Sequence, residues 1–376
     1  MDITPHLVAD KGDSYEDTAD VKRAARLVDL VLPKDGTISI FICIDGQFMR
    51  IKNAIDTIIG PYSSRVVDLS IGLPGHGFDA LSHLLPDQLN SLNSLDIEFL
   101  WNSNCGQGIR DFPSSLRKLT ISADIESCPS IASPQIHWNN ITDLDFARIY
   151  AKFAHILPIL KCCESMKTCA ITVRDCNSGP WGQYINLPCL YDFYVSLDHP
   201  AFFDSFTLPS LSQLAVETTF CDFPAAQITS MIGRSGCALQ DLNHYHLESQ
   251  PPPCDSDILA ALFTSTSSLQ TLAVHFVVPR LLMRRIGNGG LLPNLEELEC
   301  VLEVETQGTF LDAVERRLQS KRDGASNSGL RSAVGICRHE LYLSDNMLAF
   351  VDRASRLSTI YNCDVRLLSK DKIYIV

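Results

Sequence analysis

Blocks of the form L-x-x-L-x-L, with other apolar residues allowed at the key positions, recur ten times along this chain of 376 residues. They begin at Val66, Leu92, Leu116, Ile141, Met166, Leu190, Leu211, Leu239, Leu269 and Leu295, in steps of 21 to 30 residues. Within each block the last two apolar positions are two apart, which puts them on one face of an extended strand. A unit made of one strand and a short return cannot bury both its faces, so successive units must stack. The repeat predicts parallel strands in chain order, with helices or irregular returns behind them.

A step averaging about 25 residues lies in the range of leucine-rich repeats. The expected fold class is α/β: a curved leucine-rich-repeat solenoid with a parallel inner sheet and with helices and irregular returns outside. Three blocks follow a proline turn, at Leu187-Pro188-Cys189-Leu190, Leu208-Pro209-Ser210-Leu211 and Leu292-Pro293-Asn294-Leu295. Helices are expected at Gln47–Ile59, Tyr150–Cys163, Ala225–Ile232, Phe310–Lys321 and Met347–Leu357, and at Asp257–Phe263 behind the capping residues Asp255 and Ser256. Further strands are expected at Thr37–Ile42, Leu330–Ile336 and Cys363–Leu368. The chain then divides into 1–36, a tail with a capping helix over Thr18–Val31; 37–303, the repeats; and 304–376, a repeat-like C-terminal cap. One continuous solenoid is expected, with a mobile polar loop over Lys321–Gly329.

Composition restricts the partners. The 45% hydrophobic and 20% charged fractions exclude a disordered chain, and the longest apolar runs are far shorter than the roughly 20 residues of a membrane span. With 31 Lys+Arg against 44 Asp+Glu, a net charge of -13 and no basic run, neither nucleic acid nor a membrane is an expected partner. The fourteen cysteines form no CxxC pair, and Cys43, Cys169 and Cys300 sit in apolar segments. Free thiols, no secretory signal and a cytoplasmic or nuclear location are expected.

Motifs that carry catalysis are missing: no G-x-S-x-G elbow, Walker A loop, H-E-x-x-H pair or calcium loop occurs. The chain reads as a non-enzyme with no cofactor and no metal. Gly287-Asn288-Gly289-Gly290 resembles a phosphate cradle but reads better as a loop between a helix and the strand at Leu295. His244-Tyr245-His246 puts two imidazoles on one strand face, yet His244 occupies a core position and reads as a satisfied core histidine. Cys162-Cys163 reads as packing, and Asn140-Ile141-Thr142 as a chance glycosylation match.

The informative residues lie on the opposite strand face. Ten blocks define thirty outward positions, of which ten are acidic: Asp68, Asp96, Glu98, Asp143, Asp145, Asp192, Glu217, Asp241, Glu297 and Glu299. Only Lys118 is basic, whereas the chain's own composition would give about 3.5 acids and about 2.5 bases. Solvation alone makes such positions polar but predicts mixed signs, because like charges on neighbouring strands repel. A concave acidic surface for a basic protein partner is therefore expected, with Tyr194, Tyr245 and His275 as amphipathic anchors. Asp96, Glu98, Asp143 and Asp145 are expected to form its strongest patch because they lie two or three strands apart around Lys118, and with adjacent strands only about 5 Å apart their fields add.

Three further stretches carry a family resemblance: Ala25-Arg26-Leu27 leading to the strand at Ile38, Met231 to Leu242 with Arg234-Ser235-Gly236-Cys237, and Leu291 to Leu298 with Leu292-Pro293-Asn294-Leu295. They resemble the leucine-rich-repeat region of the F-box proteins of mushroom-forming fungi. The resemblance implies a substrate-recognition component of a Skp1-cullin-F-box ubiquitin ligase. It departs in two respects. The N-terminal F-box that docks a Skp1-like adaptor is not visible in residues 1 to 20, so that adaptor is a partner only if an F-box lies upstream. This points to a truncated reading frame, a member that lost the module, or a repeat protein of another line. The asparagine expected at the ninth position of each repeat is also absent. The alternative function is a stand-alone repeat scaffold or inhibitor without a ligase role.

Overall fold

The computed structural model describes residues 37–43, 48–74, 81, 88–99, 112–123, 137–174, 184–219, 221–246, 254–323, 329–337 and 345–369. The helix expected over Thr18–Val31, the segment Ala25-Arg26-Leu27 and residues 324–328 of the polar loop lie outside them. Contacts divide the chain into two compact units, Met1–Pro180 with Ile185–Leu190, and Trp181–Tyr184 with Tyr191–Val376. Both are mixed α/β.

In the first unit six parallel strands follow one another in chain order: β1 (Ile38–Cys43), β2 (Val66–Leu73), β3 (Ser94–Phe99), β4 (Lys118–Ala123), β5 (Asp143–Lys152) and β6 (Thr168–Arg174). The inward row Ile40, Leu69, Leu95, Leu119, Leu144 and Cys169 is aligned in register and buried. Helices α1 (Phe48–Ile58) and α2 (Phe153–Cys162) add Ile51, Ile55, Ile156 and Leu160 to the buried residues.

Among the described residues of the second unit, seven parallel strands follow the same arrangement: β7 (Asp192–Leu197), β8 (Gln213–Thr218), β9 (Asp241–His246), β10 (Thr271–Val277), β11 (Glu297–Leu302), β12 (Ser332–Cys337) and β13 (Asp364–Ser369). Its helices are α3 (Ala225–Ser235), α4 (Ser256–Ser265), α5 (Arg280–Gly287), α6 (Gln307–Arg322) and α7 (Asp345–Tyr361). The inward rows run Phe193, Leu214, Leu242, Leu272, Leu298, Ala333, Val365 and Val195, Val216, His244, Val274, Cys300, Gly335, Leu367. Phe193, Phe202 and Phe206 stack beneath β7 at ring separations of 4.7 to 6.3 Å.

Backbone chemistry sets the register. Before eight of these strands one carbonyl accepts two N–H groups of the next repeat; in the first unit Asn93 O accepts from Arg117 and Lys118, Arg117 O from Thr142 and Asp143, and Thr142 O from Lys167 and Thr168, all at 2.7 to 3.1 Å. In the second unit Tyr191, Ser212, Gln240, Gln270 and Glu296 repeat the device. A turn precedes it, closed by Leu190 N to Leu187 O, Leu211 N to Leu208 O and Leu295 N to Leu292 O at 3.1 to 3.3 Å. Proline fits the second turn position, where its fixed φ is favourable and no N–H is required.

The helix expected over Tyr150–Cys163 is shorter. Its first residues belong to β5, where a register shift between Phe146 and Tyr150 lets Tyr150, Ala151 and Lys152 pair with Thr172, Val173 and Arg174. Ile149, Ala151 and Phe153 are buried while Tyr150 and Lys152 are exposed, the period of a strand. At α4 the Asp255 carboxylate accepts from Asp257 N at 2.7 Å and Ile258 N at 3.4 Å, as the capping pattern predicts. Helix α3 ends at Gly236, whose φ of 63° favours glycine.

Candidate functional site

Because alternate residues leave a strand on opposite faces, the sheet residues turned away from the buried rows form a front face in each unit. In the first unit its rows read Ser39, Asp68, Ser94, Lys118, Asp143, Thr168; then Ser70, Asp96, Thr120, Asp145, Ala170; then Gly72, Glu98, Ser122. Nowhere in these rows does a carboxylate stand directly opposite another. Along a row, acids are two or more strands apart, about 10 Å at the least, with Asp96 and Glu98 on β3 and Asp143 and Asp145 on β5 flanking Lys118 on β4. Hydroxyl donors fill the gaps. Ser39 Oγ donates to Asp68 at 2.9 Å, Ser70 Oγ to Asp96 at 3.0 Å, and Thr168 Oγ1 to Asp143 at 2.8 Å. Thr142 Oγ1 adds a second bond to Asp143 at 2.6 Å. Asp145 turns onto its own strand, accepting from Ala147 N at 3.0 Å, and Glu98 is exposed.

The second unit repeats the alternation over seven strands: Asp192, Gln213, Asp241, Thr271, Glu297, Ser332, Asp364. Above them lie Tyr194, Ala215, Asn243, Ala273, Glu299, Val334, Arg366, and then Ser196, Glu217 and Tyr245. Glu217 is held by two donors, Tyr194 OH at 2.8 Å and Ser196 Oγ at 2.9 Å. The Tyr245 ring meets His275 edge-on at 5.2 Å, and His275 Nε2 lies 3.9 Å from Glu299 Oε1. Burial raises the Asp192 carboxyl pKa, with a smaller push from Asp241. Burial likewise raises Glu299, opposed by Arg366, and raises the Tyr245 phenol, helped by Glu299. All twelve sequence-predicted site residues thus occupy front-face positions, four of them in the first unit and eight in the second.

Other candidates resolve differently. The Gly287 cradle is the end of α5 and the loop after it: a Cβ at Gly287 would lie 2.6 Å from Ala313 Cα on α6, so this glycine serves helix packing. Cys162 is exposed and Cys163 buried, so they point apart; burial pushes the Cys163 thiol up to about 12, and it donates to Ile159 O at 3.2 Å. Asn140 Nδ2 donates to Ser114 O at 2.9 Å, tying successive repeats together. His244 is buried and His246 half-buried, with Thr218 Oγ1 3.0 Å from His244 Nε2 and 2.9 Å from His246 Nδ1. The reading of His244 as fully satisfied is corrected at one atom: its Nδ1 has no hydrogen-bond partner. Burial lowers its pKa to about 3, assisted by His246 and His275. Among the described residues no group of three or more His, Cys, Asp or Glu is placed to hold a metal ion.

Two features carried no sequence signal. Arg317 is buried on α6 and donates to three carbonyls, Ile286 at 2.9 Å, Leu292 at 2.6 Å and Pro293 at 2.8 Å. Toward the C-terminal end of the second unit the front face turns apolar, where Val301, Val334 and Ile336 cluster with Val277 and Leu368.

No family model matches the chain, and no curated protein is significantly similar to it. No helix among the described residues is long and apolar enough to cross a membrane.

Proposed function

We propose that this chain is a leucine-rich-repeat solenoid that binds a basic protein surface on the front face of its sheets. In the role its family resemblance implies, it is the target-recognition component of a Skp1-cullin-F-box ubiquitin ligase. One observation carries the binding role: carboxylates recur on the front face of both units, and Asp68, Asp96, Asp143 and Glu217 are held in place by donors on a neighbouring strand. A carboxylate already fixed loses less side-chain freedom when a cation docks, and a field of one sign speeds the encounter. The strands in chain order and the carbonyl device that registers them support the solenoid reading.

A synthetic oligolysine peptide is the first probe. Asp143→Asn with Asp145→Asn should slow its association and flatten the dependence on salt, while the melting temperature stays within a few degrees. An association rate indifferent to salt and to both substitutions makes the front face a solvated surface only. The ligase role is tested separately. Residues 1–376 alone should not bind a purified Skp1-like adaptor, whereas an upstream in-frame F-box should confer that binding. Without such a module the same face serves a stand-alone scaffold or inhibitor.

A further inference from the structure

Helix α5 is opposite in character to the front face of its own unit. Leu282, Met283, Ile286 and Gly287 are buried, while Arg280, Leu281, Arg284 and Arg285 form its exposed side. Helix α6 adds Arg316, whose Nη1 lies 3.4 Å from Asn288 Oδ1 at the end of α5. Arg280 donates to Glu305 O at 2.7 Å, which brings Val304 alongside. Leu281 is 71% and Val304 61% exposed, so two aliphatic side chains stand beside the guanidinium groups.

None of these four arginines has a carboxylate within ion-pair distance among the described residues, whereas Arg331, Arg353 and Arg366 pair with Glu296, with Asp312 and Glu315, and with Asp364. Like charges one helical turn apart, as at Arg280 and Arg284, are unfavourable. The helix dipole offsets this only in the last turn, at Arg284 and Arg285. The cationic patch is thus left without a counterpart on its own side of the unit.

Its counterpart lies on the front face. There Asp241, Glu297 and Asp364 stand on alternate strands, and the Val301, Val334 and Ile336 cluster with Val277 and Leu368 lies beside Glu299 and Arg366. On both surfaces one sign of charge predominates beside aliphatic side chains, Arg366 on the front face being paired with Asp364, and the predominant signs are opposite. We propose that the α5 patch of one copy docks on the front face of the second unit of another copy. This rests on the reading of that face as a docking surface and names one basic partner for it. The two patches lie on opposite sides of the same unit, so the contact is head-to-tail and adds copies in series. The net charge of -13 opposes this only weakly, because charges beyond about 8 Å are screened at physiological salt.

Sedimentation velocity of the full chain tests the proposal. The mean mass should rise with concentration at about 50 mM salt and return to that of a monomer at about 500 mM. Arg284→Glu with Arg285→Glu, and separately Asp241→Lys with Glu297→Lys, should each weaken association about tenfold or more, with circular dichroism unchanged. Mixing the two variants should restore association, because one pair of surfaces is intact and the reversed pair is again opposite in charge. A wild-type chain that stays monomeric at low salt overturns the proposal, as does association untouched by either charge reversal or capture of anionic vesicles by α5 in its place. If oligolysine still binds the monomeric wild type and not the Asp241→Lys, Glu297→Lys variant, only self-docking fails; if oligolysine binding is also absent, the reading of the face fails with it.

Discussion

The Tyr194 hydroxyl donates to Glu217 Oε2 at 2.8 Å, so that a side chain on β7 fixes a carboxylate on β8. Tyr194→Phe should cost about 1 kcal/mol of stability, the ordinary net value of one hydrogen bond. It should also weaken oligolysine binding, because Glu217 regains rotamer freedom. Urea unfolding and titration calorimetry measure the two effects; a variant unchanged in both makes the bond incidental.

His244 should make the protein acid-sensitive. Its pKa falls from 6.5 to about 3 on folding, so below pH 6.5 the unfolded chain binds a proton that the folded chain refuses. This contribution to stability is complete above pH 6.5, declines as pH falls and is fully lost near pH 3. By pH 5 the loss is about 2 kcal/mol. His244→Leu should remove that share of the pH dependence, leaving the slope due to carboxylates. Equal slopes in wild type and variant between pH 7 and 5 would contradict it.

Arg317→Met should destabilise by roughly 3 kcal/mol, since the Ile286, Leu292 and Pro293 carbonyls lose their donor inside the protein. Arg317→Lys should recover only part, because an ammonium group lacks the planar fork that spans three acceptors. Thermal melts of both variants rank the effects.

Gly335 lies between Leu302 and Leu367 on neighbouring strands, and a Cβ there would come within 2.8 Å of Leu367 Cδ2. Gly335→Ala should cost about 1–3 kcal/mol through overpacking. Combined with Leu302→Ala, which opens space on one side, the loss should be smaller than the sum of the two single changes. Strict additivity would mean that the neighbours relax without cost.

The strands were legible because two periods coincide, one of two residues within a strand and one of about 25 between strands. Helix α4 was legible from Asp255, whose capping role is local. The rows of the front face were legible too, since the varying steps fall in the returns and aligning the blocks puts Asp192, Gln213, Asp241, Thr271 and Glu297 in one row, as the register does. Which hydroxyl reaches which carboxylate was not, because that depends on side-chain rotamers that the spacing does not carry. Arg317 was invisible for a related reason: its acceptors are backbone carbonyls 24 to 31 residues away, and a carbonyl carries no sequence signature. The shortened helix after β5 reflects an apolar run in which Ile149, Ala151 and Phe153 satisfy a strand period as well as a helical one.

The paired N–H groups that converge on Asn93, Arg117, Thr142, Ser212, Gln240, Gln270 and Glu296 use main-chain atoms only. Alignment of successive repeats is therefore largely indifferent to which side chains the front face displays. Lineages of such a chain can exchange whole sets of surface residues, and with them their targets, while inheriting the same frame. Binding preference and foldability are then nearly independent traits, open to separate selection and to separate redesign.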